Sequence, residues 1–89
     1  MNTETYLNHP TFGLLFRVCP IGENQELFTT LYAQRLFFVV TNDSEGFRFE
    51  PIARGDARTV VENRLRQLRR MKLQKPYEQL HAIRQQMFQ

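Results

Sequence analysis

Tryptophan is absent, cysteine and serine occur once each, histidine occurs twice, and the four glycines stand singly at positions 13, 22, 46 and 55. Each scarcity removes a class of function. A lone cysteine, Cys19, permits no intrachain disulfide and fits a reducing, cytoplasmic setting. His9 and His81 are far apart in the chain, and with Cys19 they give no metal-ligand spacing. Isolated glycines make no phosphate-cradling loop. Ser44 lies in "DSEG", where a hydroxyl bonds its own backbone far more readily than it attacks a substrate. Cys19, between Val18 and Pro20, reads as a small apolar residue in a strand. No apolar run approaches the ~20 residues of a membrane-spanning helix. The opening "MNTETYLNHP" has neither a basic start nor an apolar stretch, so no signal peptide is expected. No catalytic constellation assembles, and a non-enzymatic protein without metal or cofactor is expected.

What is present is an aromatic, two-sided β segment. Hydrophobic content of 42% against 24% charged is ordinary for a globular chain of 89 residues, so gross disorder is not expected. "GLLFRVCPI" (13–21) is a short apolar run. "ELFTTLYAQRLFFVVTN" (26–42) is rich in β-branched and aromatic residues. It is too long for one ordinary strand, and a bend or bulge is expected near Gln34 and Arg35. Within it "LYAQRLFFVV" (31–40) is apolar at both parities. Two-sided apolar strands need cover on both faces, so something beyond one small barrel interior must meet the second face. "DSEG" is a turn and "FRFEPI" (47–52) alternates, so residues 35–52 read as a hairpin. If the side carrying Phe47, Phe49 and Pro51 is core, truncating either phenylalanine should lower stability by a few kcal/mol. Four or five such strands should form a small, partly open antiparallel barrel.

The period changes after Arg54. Gly55-Asp56 is a plausible helix start with Asp56 as N-cap. Ala57, Val61, Leu65 and Leu68 recur at spacings of three or four and mark one helix face, ending near Lys72. Pro76 suits the first turn of a second helix, whose stripe is Tyr77, Leu80, Ile83 and Met87. The two helices should pack as an antiparallel hairpin. The expected organisation is a β unit over 1–53 and two helices over 54–89, an α+β fold.

Charge follows the same division. Residues 1–53 hold three basic and six acidic residues, and residues 54–89 hold nine basic and three acidic. Arg66, Arg69 and Arg70 fall close together at helical spacing. One reading is a nucleic-acid-binding module that uses this basic helix. No aromatics interleave with the cluster to stack on bases, so a solvated face or a protein contact is the stronger expectation. Methyl-lysine reading by an aromatic cage is a weaker option, since no cage spacing is visible. Aromatics left over from the interior, with an arginine nearby, have the make-up of an interface hot spot.

"YLNHPTFGLLF", "LYAQRLFFVV", "RFEPI" and "VENRLRQLRR", in this order and spacing, resemble the PipX family of cyanobacterial regulators of nitrogen-responsive transcription. The resemblance runs from Tyr6 to about Arg70. It implies an N-terminal Tudor-like, KOW-related β domain followed by two helices, and no enzymatic activity. It implies two competing partners. One is the trimeric PII signalling protein, which holds these proteins through its T-loops when 2-oxoglutarate is low. The other is the dimeric transcription activator NtcA in its 2-oxoglutarate-bound form, for which they act as coactivators. RNA polymerase, and a further regulator reached through PII, are additional candidate partners. The resemblance favours protein contacts over direct DNA binding and implies no membrane association. By position, the partner-binding residues would be Glu4, Tyr6, Phe12, Tyr32, Gln34, Arg35, Leu36 and Phe38. The basic set Arg66, Arg69 and Arg70 would form a secondary surface. Glu23 stands where the family has a shorter aspartate, which leaves an acidic contact there open.

Overall fold

In the computed structural model, which describes residues 6–31 and 36–88, five strands precede two helices. The strands are β1 (Tyr6–His9), β2 (Gly13–Pro20), β3 (Gln25–Thr30), β4 (Phe37–Asp43) and β5 (Gly46–Ile52); the helices are α1 (Arg54–Arg70) and α2 (Gln74–Met87). The strands pair in chain order, each antiparallel to the next. The α+β arrangement expected from the sequence is the one observed, and the curled sheet is compatible with a Tudor-like domain.

Strand register divides the side chains between two faces. Tyr6, Phe16, Thr29, Phe37 and Ile52 are successive register partners, so they form one row on one face. Arg17, Phe28, Phe38 and Pro51 form a row on the other. On that second face Leu15, Phe28, Phe38 and Val40 are buried together, with Leu7 and Phe49 packed against them. His9 of β1 meets the ring of Phe49 of β5 edge-on at 5.0 Å. These strands are the opposite edges of the sheet, so the sheet curls into a half-barrel with this cluster inside. The first face is the outside of the curl, and the helices cover it. Val18, Cys19, Leu27 and Phe37 of the sheet share one core with Ala57, Val61, Leu65, Leu68, Leu80 and Met87 of the helices. Each fully buried large apolar side chain contributes about 1.5–3 kcal/mol, so neither face is dispensable in so small a chain.

Of the long apolar segment 26–42, residues 26–30 belong to β3 and 37–42 to β4, while the bend expected near Gln34 and Arg35 lies outside the described residues. A separate irregularity lies in β2, where the register slips between Arg17 and Cys19. The extra residue, Val18, lets Val18 and Cys19 both enter the helix-side core, as a bulge permits. The β4–β5 hairpin forms as expected. Its turn is held by Asp43, whose Oδ1 accepts the Glu45 N–H at 2.9 Å and whose Oδ2 pairs with Arg48 at 2.9 Å. Gly46 sits at φ +104°, where a side chain would be strained.

Both helices use the expected stripes. Ala57, Val61, Leu65 and Leu68 are buried on α1, and Leu80 and Met87 on α2. The start of α1 differs from the expectation. Its N-cap is Ala53, without a side-chain cap, because β5 ends at Ile52 and the chain turns directly into the helix. Asp56 is instead an acid in the first turn, which suits the positive end of the helix dipole. The end of α1 is a Schellman arrangement: Leu73 N–H donates to Leu68 O, and Lys72 N–H to Arg69 O. Lys72 takes φ 59°, the left-handed position that glycine usually fills. Three contacts show that the helices run antiparallel. Arg69 bonds Tyr77 Oη at 2.8 Å, Arg84 pairs with Glu62 at 2.8 Å, and Arg54 bonds the Met87 carbonyl. No helix among the described residues is long and apolar enough to cross a membrane.

Burial separates the phenylalanines of the hairpin. Phe37 is 1% exposed and Phe47 is 52% exposed. Phe37→Ala should therefore cost about 3–5 kcal/mol in a denaturant titration, and Phe47→Ala about 1 kcal/mol or less. Equal losses would contradict the assignment of faces.

Candidate partner-binding surface

The β1–β2 turn (10–12) and the described ends of the β3–β4 connection, Leu31 and Leu36, lie at the same end of the sheet, because β1 and β3 end there. Backbone bonds fix the base of the connection. Leu31 N–H donates to Leu14 O at 3.0 Å, and Thr30 N–H to Leu36 O at 3.2 Å. Two threonine hydroxyls add to this. Thr29 Oγ1, fully buried, donates to Leu36 O at 2.8 Å, and Thr30 Oγ1 accepts from Leu36 N–H at 3.5 Å. Leu36 is thus held by its backbone while its side chain stays 44% exposed.

The turn on the other side is organised by His9. Its Nδ1 accepts the N–H groups of Thr11 (3.0 Å) and Phe12 (3.3 Å), which closes the turn and leaves the ring proton on Nε2. The imidazole lies against three phenylalanines: Phe12 at 5.0 Å, Phe38 at 5.8 Å and Phe49 at 5.0 Å. Phe12 also meets Phe38 at 5.3 Å, and Phe47 meets Phe49 at 6.4 Å. A ribbon of rings therefore crosses the half-barrel, from the exposed Phe12 through His9 and Phe49 to the exposed Phe47. His9 closes this turn from the end of β1, and its place at the centre of the ribbon was not foreseen. The signal was its parity: in β1 it shares a face with Leu7.

Of the residues expected to bind partners, Glu4, Tyr32, Gln34 and Arg35 lie outside the described residues. Phe12 and Leu36 are exposed, and Phe38, at 2% exposure, lies against Phe12 and His9 as their support. Tyr6 is 48% exposed and stands on the other face, tilted against Phe16 at 5.9 Å. The structure thus brings Phe12 and Phe38 together and places Tyr6 apart from them. Exposed aromatic and aliphatic side chains over a packed support suit a hot spot, since little conformational freedom is lost on binding.

The basic set lies elsewhere. Arg66, Arg69 and Arg70 are exposed on α1. Arg69 lies over the ring of Tyr77 at 5.1 Å, and Arg66 donates to Asn63. Glu62 bridges the helices by pairing with Arg84 and Arg58, and these bonds hold its carboxyl below the usual range. Among the described residues, no group of three His, Cys, Asp or Glu side chains gathers as it would around a metal ion.

One family model, PipX (PII-interacting protein X), matches residues 3–88, nearly the whole chain. No curated protein matches.

Cys19 is buried, as a small apolar strand residue should be. Burial pushes its thiol up to about 12, against a partial offset from Arg64 and Arg17. The folded thiol keeps its proton to about 12, whereas an unfolded thiol loses it near its ordinary value of 9.0. Between those values the folded state binds more protons, so raising the pH favours unfolding. The contribution is complete below pH ~9 and is lost as pH rises toward 12. Urea titrations at pH 8 and pH 10 should show a drop in stability that is smaller in Cys19→Ala; an identical drop in both proteins would refute this.

Proposed function

The chain belongs to the PipX family of PII-interacting proteins, and from that premise we propose that it acts by exchange between two protein partners. It performs no catalysis. It binds PII when 2-oxoglutarate is scarce, and it binds NtcA as a coactivator when 2-oxoglutarate occupies that activator. Its place of action is the cytoplasm. Both partners use the end of the half-barrel formed by the 10–12 turn and the 31–36 connection, so they exclude one another. The observation that carries this reading is the pairing of exposed Phe12 and Leu36 with rigid support: Phe38 and His9 under one, the threonine-held backbone under the other. Tyr32, Gln34 and Arg35, in the same connection, supply the polar centre of the contact. Glu4 and Tyr6 add further contacts, Tyr6 from the outer face of β1.

A pull-down of PII by the purified protein tests this. Binding should be strong with ADP and weakened by 2-oxoglutarate with ATP, and absence of binding under both conditions would overturn the reading. Tyr32→Ala and Leu36→Ala should each weaken PII and NtcA binding by at least about 2 kcal/mol, roughly thirtyfold. The melting temperature should barely move. If Tyr32→Ala unfolds the domain, the interface is misassigned.

A further inference from the structure

Three arginines converge on the cleft between α1 and α2. Glu62, Arg66 and Arg69 line it from α1, and Tyr77, His81 and Arg84 from α2, around a volume of about 410 Å³. That size falls within the range of small-molecule sites. One wall is a stacked ladder. The Arg69 guanidinium lies over Tyr77, and Tyr77 stacks on His81 at 5.8 Å with planes 18° apart. Glu62 is the one carboxylate in the lining, so the arginines leave the cleft with a net charge of +2 even with His81 neutral. A guanidinium has five N–H donors. Arg66 and Arg69 each commit one to a neutral partner, Asn63 and Tyr77, and keep donors for an incoming group.

We propose that this cleft binds the polyphosphate of a nucleotide, with Arg66 and Arg69 on phosphate oxygens and the base against His81. The planar fork of arginine matches phosphate oxygens, and aromatic faces accept bases of any sequence at about 1–3 kcal/mol each. Glu62 argues against a continuous strand of nucleic acid. It sits in the cleft lining, where a further phosphate would meet its carboxylate. It also engages Arg84, so it restrains a cation that a bound phosphate could use. The site is separate from the end of the half-barrel and does not depend on the reading of that surface.

The test is a titration of the intact, isotope-labelled chain by NMR with ATP, with tripolyphosphate and with a single-stranded RNA oligonucleotide, at one fixed ionic strength. ATP and tripolyphosphate should both shift the amides of residues 62–69 and 77–84, with ATP the tighter. Arg66 is exposed, so Arg66→Gln leaves the core untouched; it should weaken both ligands about tenfold, with Arg66→Lys intermediate. His81→Ala should remove the advantage of ATP and leave tripolyphosphate unchanged. Glu62→Gln should tighten both. Unshifted spectra with ATP and tripolyphosphate, affinities unchanged by Arg66→Gln, or RNA binding tighter than ATP would each overturn the proposal.

Discussion

β4 carries phenylalanines on both faces, and a chain this small can leave neither face in water. Phe37 and Phe38 are neighbours in sequence and point in opposite directions, each almost fully buried. Curling the sheet buries Phe38 against the side chains of β1, β2, β3 and β5. It also turns Phe37 outward. Only the helices remain to cover that side, and the register of α1 is set by Ala57 and Val61 packing down on it. The half-barrel and the helical hairpin are therefore two answers to one constraint.

The fastening of helices to sheet is concentrated where the chain passes from β5 to α1. Arg54 lies over the rings of Phe37 and Phe88, at 5.8 Å and 5.2 Å, and donates to the carbonyl of Met87. A cation is thereby placed at the negative end of α2, where a helix dipole favours it. Phe88 stacks on Phe37 at 5.5 Å, so the end of the second helix is pinned to the strand that demands cover. With its outer face closed in this way, the sheet leaves its end open, and it is there that Phe12 and Leu36 stand in solvent.

The helices were legible because a 3.6-residue period marks their buried stripes without help from the rest of the fold. The β4–β5 hairpin was legible because "DSEG" combines an Asx turn with the glycine its geometry needs. Segment 26–42 was legible as more than one ordinary strand, but its strand ends were not, since apolar residues at both parities erase the alternation that marks them. The β2 bulge left no local mark, because Val18 and Cys19 look alike whether they share a face or not. The Asp56 cap was misplaced because a capping residue was sought where the chain makes a direct strand-to-helix turn. Phe88 escaped notice as a core residue, although it lies four residues beyond Arg84 and eight beyond Leu80, at helical spacing. At the candidate surface, sequence and resemblance named Phe12, Leu36 and Phe38, while the part played by His9 depends on the closing of β1 onto β5, which no local pattern encodes.

The proposed division of labour between a structural outer face and a partner-binding end can be read directly by NMR. Adding PII to the labelled chain should perturb the amides of residues 10–12 and 31–36 and leave those of Val61, Leu65 and Leu80 in place. Perturbations confined to α1 and α2, with the 10–12 and 31–36 amides unmoved, would contradict it.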